Sequence, residues 1–181
     1  MNPARQIRNI ALIGFMGSGK SSVGHMLARR LKFVLVDTDH LIEQQAGRNI
    51  AEIFAREGEA AFRELERRAI EELAGRERLV IATGGGVGAR PELLASLKRH
   101  ALVVWLWASP ETLWERVRHQ THRPLLQVPD PPARIRELLA VREPVYRQAD
   151  VLINAESRPL RQVAAQVADE FRRATRAGAH R

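Results

Sequence analysis

A chain of 181 residues with 45% apolar side chains is long enough for one domain with its own core and too apolar for wholesale disorder. It contains no cysteine, which excludes a disulfide framework and any Cys-ligated metal site. The net charge is +8, but the arginines are scattered and aromatic residues are only 5%, so the stacking platform of a single-stranded nucleic-acid binder is missing and no nucleic-acid partner is expected. The N-terminus does not resemble a signal peptide, and no apolar run approaches the ~20 residues that span a bilayer. A cytoplasmic chain without a membrane partner is the expectation.

In chain order, the apolar run Ile10-Ala11-Leu12-Ile13 reads as a strand, and Val23, Met26, Leu27 and Leu31 read as a helix. Between them lies Gly14-Phe15-Met16-Gly17-Ser18-Gly19-Lys20-Ser21, a complete G-x-x-x-x-G-K-[ST] loop. Strand, glycine loop and helix is the context that turns this string into a phosphate site. The glycines let backbone N–H groups face phosphate oxygens, and the helix adds the positive end of its dipole. Gly17, Ser18, Gly19, Lys20, Ser21 and Ser22 therefore form the expected nucleotide-binding segment, with Lys20 on the β- and γ-phosphates and Ser21 on Mg²⁺. A nucleoside triphosphate and Mg²⁺ are the implied ligands.

Phe33 to Val36 is a second strand, ending at Asp37-Thr38-Asp39 where a helix should begin. One of these residues suits an N-cap. Two carboxylates facing a bound triphosphate also suit Mg²⁺ and activation of a hydroxyl.

On a helical wheel, Glu59 to Ala74 places Phe62, Leu65, Ala69 and Leu73 on one apolar stripe. Glu66 falls inside that stripe and Arg63 at its border. A glutamate on a core-facing stripe is costly unless paired, and Arg63 is its i,i+3 neighbour. The pair is either a structural ion pair or a device in which Glu66 orients Arg63 to grip a carboxylate or phosphate.

Leu79 to Ala82 is a third strand and runs into Thr83-Gly84-Gly85-Gly86; Ala101 to Trp107 and Val151 to Ile153 are the fourth and fifth. Continuous apolar runs alternating with helices predict a parallel sheet covered on both faces, with ligands beyond the carboxyl ends of its strands. From Ala133 to Glu143, Ile135, Leu138 and Leu139 define an apolar helix face to which Arg142 returns, just before the expected helix end at Pro144. The proline-rich stretch 121–132 is either a surface loop or a lid that carries Arg123 onto a transferred phosphate and excludes water. No His, Asp and Glu set has the spacing of a zinc site. The arginines at both ends read as solvated tails.

Taken together, the Gly14–Gly24 loop, Asp-Thr-Asp at 37–39, Ile53–Glu66 with its Phe-Arg-x-x-Glu, Thr-Gly-Gly-Gly at 83–86, Arg-Pro-Leu-Leu at 123–126 and Arg-Glu-Pro-Val-Tyr at 142–146 resemble the shikimate kinases, P-loop kinases related to the nucleoside monophosphate kinases. The resemblance implies a three-layer α/β/α P-loop kinase fold, with a five-stranded parallel sheet and a mobile lid. It implies a single kinase domain over 1–181, a lid at about 119–132, an acid-binding helical region at about 38–74 and a flexible tail at about 171–181. The implied activity transfers the ATP γ-phosphoryl group to the 3-hydroxyl of shikimate, with ATP and shikimate as the partners of a monomer.

By the same resemblance, Lys20, Asp39 and Arg123 are catalytic, with Asp39 as base and Arg123 closing from the lid. Ser21 and Asp37 serve the metal, and Asp39, Arg63, Gly85, Gly86 and Arg142 bind shikimate. Arg158 is a further nucleotide contact. The rival readings are a kinase for another small hydroxy acid such as gluconate, and a non-catalytic nucleotide-dependent regulator on the same fold.

Overall fold

The structure is a computed structural model that describes residues 5–119 and 126–179. Five parallel strands form one sheet in the order β2-β3-β1-β4-β5: β1 (Asn9–Ile13), β2 (Val34–Asp37), β3 (Leu79–Ala82), β4 (Ala101–Trp107) and β5 (Val151–Asn154). The helices are α1 (Lys20–Leu31), α2 (Thr38–Ala46), α3 (Ile50–Ala74), α4 (Pro91–His100), α5 (Pro110–Val117), α6 (Pro131–Tyr146) and α7 (Leu160–Ala179), with a 3-10 turn at Val87–Ala89.

Strand periodicity makes the three layers. Ile10 and Leu12 face α1 and α7, packing with Val23, Leu27, Val163 and Val167. Ala11 and Ile13 face the other way, onto Ile70 and Leu73 of α3 and Leu94 and Leu97 of α4. All five β1 residues are buried, as expected of a central parallel strand. The chain leaves β1 for β2 on one side of the sheet and leaves the neighbouring β4 for β5 on the other, so the loop after β1 opens into the crevice where such sheets bind ligands.

Three sequence expectations are corrected. First, α6 does not stop before Pro144 but runs to Tyr146. The proline removes one backbone donor, yet fully buried Tyr146 anchors the last turn against Trp105, and Arg147 N–H still reaches the Glu143 carbonyl at 2.9 Å. Second, the stretch from 171, expected as a flexible tail, continues α7 to Ala179. Phe171 is buried and meets Phe33 edge-on at 5.6 Å, which holds that turn to the core. Third, Arg5 is not a solvated tail residue, since it pairs with Asp150 at 2.6 Å. Within the expected lid, α6 already begins at Pro131, and Arg123 lies outside the described residues.

Candidate active site

The loop after β1 is held open by its glycines. Gly14 has φ 141°, and a Cβ there would lie 2.6 Å from the Leu106 carbonyl oxygen, so only glycine lets the chain turn against β4. Gly19 caps α1 in the left-handed region, and Lys20 opens the helix. The Lys20 ammonium turns back over the loop and donates to the carbonyls of Gly14 at 2.9 Å and Phe15 at 3.0 Å. Inside the same loop, the Ser18 hydroxyl is buried with no hydrogen-bond partner in the structure. An orphaned hydroxyl in a glycine loop at a helix N-terminus is what a phosphate oxygen would satisfy.

Asp37 does two jobs. As the N-cap of α2 it accepts from the Asp39 backbone N–H at 3.1 Å, and its other oxygen accepts from the Ser21 hydroxyl at 3.2 Å. The capping role and the position beside the loop belong to one carboxylate. Ser21 and Asp37 form a pair of hard oxygen donors, and no group of three or more His, Cys, Asp or Glu sits together among the described residues. Few protein ligands beside a phosphate site suit Mg²⁺, which keeps waters and shares phosphate oxygens.

Asp39 sits two residues on, in the first turn of α2, and its carboxyl is raised from 3.8 to about 6. Burial is the largest cause, followed by the nearby charges of Asp37 and Glu66, with Lys20 pulling the other way. The triple-glycine turn closes over it: the Gly84 N–H donates to the buried Thr38 hydroxyl at 2.8 Å.

The two arginines singled out by the sequence converge on the other end of that turn. Arg142 Nη1 donates to the Gly85 carbonyl at 3.1 Å and its guanidinium lies 5.3 Å from the Phe15 ring centroid. Arg63 approaches Gly86 so closely that a Cβ there would be 2.8 Å from Nη1. Arg63 Nη1 also holds the Glu66 carboxylate at 2.7 Å, and Glu66 is 1% exposed, as its place on the apolar stripe predicts. The outer edge of the Arg63 fork, Nε and Nη2, rests on exposed Glu59 at 3.1 and 2.8 Å.

Arg63 and Glu66 ride on the second arm of α3, set off by Gly58 at φ 81°. Lys20, Asp37, Asp39, Arg63, Gly85, Gly86 and Arg142 thus gather at the carboxyl ends of β1, β2 and β3. Arg158 instead is exposed and donates to Gln166 on α7 at 2.6 Å.

Three residues were missed. Tyr146 donates to the Gly85 carbonyl at 3.0 Å, the same oxygen that Arg142 uses, and burial pushes its hydroxyl up, which keeps it a neutral donor. It is the only tyrosine of the chain, which was a usable signal. Arg116 on α5 ties the Gly17 carbonyl at 3.3 Å to those of Ala155 at 2.7 Å and Glu156 at 2.9 Å, joining the phosphate loop to the turn before α7. Arg90 faces the buried Glu66 carboxylate. Neither arginine stands out from the many others in the sequence.

A phosphate loop at the switch of a parallel sheet, opposed by a carboxyl poised near neutrality, defines the class of P-loop phosphotransferases acting on small molecules. The family model described as Shikimate kinase matches residues 16–172. A shikimate kinase of Thermodesulfovibrio yellowstonii is 44% identical over 92% of this chain and 96% of its own, and one of a Synechococcus species is 49% identical over 85% and 82%. Among solved structures, the shikimate kinase from Acinetobacter baumannii in complex with shikimate superposes with a TM-score of 0.86 at 37% identity, covering 94% of this chain and 96% of that one. A gluconokinase from Sinorhizobium meliloti reaches 0.64 at 21% identity, a likeness of fold alone. The chain belongs to the shikimate kinase family.

Proposed function

We propose that this chain transfers the γ-phosphoryl group of ATP to the 3-hydroxyl of shikimate, giving shikimate 3-phosphate and ADP on the route to the aromatic amino acids. The observation that carries the reading is the convergence of Asp39, Arg63 and Arg142 on the triple-glycine turn opposite Lys20. One end of that space offers a base, the other two guanidiniums. That spacing suits a small acid that carries both a hydroxyl and a carboxylate.

In this reading Asp39 accepts the proton of the 3-hydroxyl, whose oxygen bonds to the γ-phosphorus as the bond to the ADP oxygen breaks. Arg63 and Arg142 hold the carboxylate, and Gly85 and Gly86 leave room for the ring. Lys20 moves from the loop carbonyls to the transferred phosphate. Ser18 and the loop amides bind the remaining phosphate oxygens. Ser21 and Asp37 would hold Mg²⁺, which neutralises phosphate charge when bound. Arg123, in the proposed lid, and Arg158 are assigned by resemblance alone. The reading takes the enzyme as a monomer that works in the cytoplasm, where ATP is supplied.

The test is ADP release from Mg-ATP with shikimate, with gluconate and with no acceptor. Release with shikimate alone is expected. Preference for gluconate, or equal release with every acceptor, overturns the assignment.

A further inference from the structure

Glu66 is almost completely buried, yet two guanidiniums face a single one of its oxygens. Arg63 Nη1 lies 2.7 Å from Oε2, and Arg90 Nη1 lies 3.6 Å from the same atom. Arg90 ends the 3-10 turn that follows the triple glycine and is the N-cap residue of α4. Its Nη2 edge is anchored on exposed Glu92 at 2.7 Å. Its Nη1 is buried and has no hydrogen-bond partner in the structure. A buried charged donor left without a hydrogen bond is costly, so its place beside Glu66 calls for a reason.

Charge supplies one. Arg63 is the group offered to an acidic substrate, but two carboxylates, Glu59 and Glu66, already press on it. Arg63 alone cannot offset both of them; Arg90 is the second cation on the buried one, while its own further partner Glu92 is exposed and weighs little in the interior. The two carboxylates are not equivalent. Glu59 is two-thirds exposed, with a relative side-chain exposure of 68%, and such a surface pair is held weakly. Glu66 cannot leave, and its charge has to be balanced where it stands.

We propose that Arg90 is a positioning residue for acid binding: it balances and fixes the buried Glu66 carboxylate, so that Glu66 can orient Arg63 while the outer edge of the Arg63 fork exchanges Glu59 for the substrate carboxylate. Arg90 does this from the turn that carries Gly84 to Gly86. It thereby ties the glycine wall of the acid pocket to the helix bearing its clamp. The inference rests on the shikimate-binding role given to Arg63 above.

The experiment is steady-state kinetics on the full chain with R90M, R90K, E66Q, R63A and the E66Q/R90M double variant, each with its Tm. R90M keeps an unbranched apolar stem and removes the guanidinium with its charge. It is expected to raise the shikimate KM about fivefold or more, with the ATP KM and kcat within about twofold of wild type. R90K, a cation without the planar fork, is expected to fall between the two. If Arg90 acts through Glu66, the double variant shows the shikimate KM of E66Q alone.

A shikimate KM unchanged in R90M but raised in R63A overturns the role of Arg90 and leaves the clamp standing. A KM unchanged in R63A overturns the clamp itself. Equal losses for both substrates with a lowered Tm and no recovery in R90K, or additive effects in the double variant, would make Arg90 a plain structural residue and also overturn the inference. Should R90M not fold, R90Q, polar but uncharged, decides: a shikimate KM raised about threefold or more at unchanged ATP KM supports the role, and no change in either refutes it.

Discussion

Gly84 and Asp39 are mutually exclusive with any side chain between them: a Cβ at 84 would overlap the Asp39 carboxylate, lying 3.0 Å from its Cγ. The Gly84 N–H is at the same time fixed to Thr38, so the turn cannot move off α2 to make room. Gly84→Ala is therefore expected to displace Asp39, the proposed base. Turnover should fall about a hundredfold, as for loss of a positioned proton acceptor, while nucleotide affinity measured by calorimetry stays within about twofold. Turnover close to wild type would show that Asp39 need not occupy this place.

The acidity of Asp39 sets a pH limb. Its carboxyl is raised to about 6, first by burial and then by Asp37 and Glu66. A base must be ionised to accept a proton, so kcat/KM for shikimate should be flat above the limb and fall about tenfold per pH unit below it. Glu66→Gln removes a neighbouring negative charge and should move the limb to lower pH. Asp39→Asn should abolish turnover with ATP binding retained. A limb unmoved in Glu66→Gln would separate the two carboxylates electrostatically.

The two arginines of the proposed clamp should differ in what their loss costs. Arg63→Ala is expected to raise the shikimate KM about ten- to a hundredfold, since it removes a charge-assisted contact, with little effect on ATP. Arg142 also supports the Gly85 carbonyl, so Arg142→Ala should in addition lower Tm by a few degrees. Tyr146→Phe leaves Arg142 on that same oxygen and should cost only about 1 kcal/mol in chemical denaturation.

Far from the site, at the amino ends of the strands, Asn9 and His100 form a buried pair 3.0 Å apart. Asn9 also accepts from the Leu79 N–H at 2.9 Å and donates to the Arg76 carbonyl at 2.8 Å. His100 is lowered from 6.5 to about 4, first by burial and then by Arg8, Arg99 and Arg5. The unfolded chain binds this proton more readily than the folded one. Stability from the neutral ring is thus complete above pH 6.5 and is lost as pH falls towards 4. A Tm profile across that window should slope for the native chain and be flatter in His100→Asn by a few degrees at the acid end. Parallel profiles would remove His100 from the acid response.

Much of the site was legible because its signals are local. The phosphate loop needs its glycines for backbone reasons that act within a few residues, and Glu66 betrays itself by lying on an apolar stripe of one helix. Arg142 was found in the same way, although the expected end of its helix was three residues short, because Tyr146 buried against Trp105 outweighs the proline's local effect. Arg90, Arg116 and Tyr146 were not assigned roles, since each acts on a partner far away in the chain. The expected tail after 171 was an error of the same kind: Phe171 finds Phe33 only once the sheet and α1 are built.

By itself, then, the sequence determined the alternation of strands and helices, the phosphate loop and the types of residue facing it, because periodicity and backbone freedom are encoded over one or two turns of chain. Only the tertiary structure decided that the Asp39 carboxyl is raised to about 6, that Glu66 is shared by two arginines and that Gly84 must have no side chain. Burial and the field of neighbouring charges do not exist until segments far apart in the chain are packed together, and those two quantities turn a list of polar residues into the proposed base and clamp.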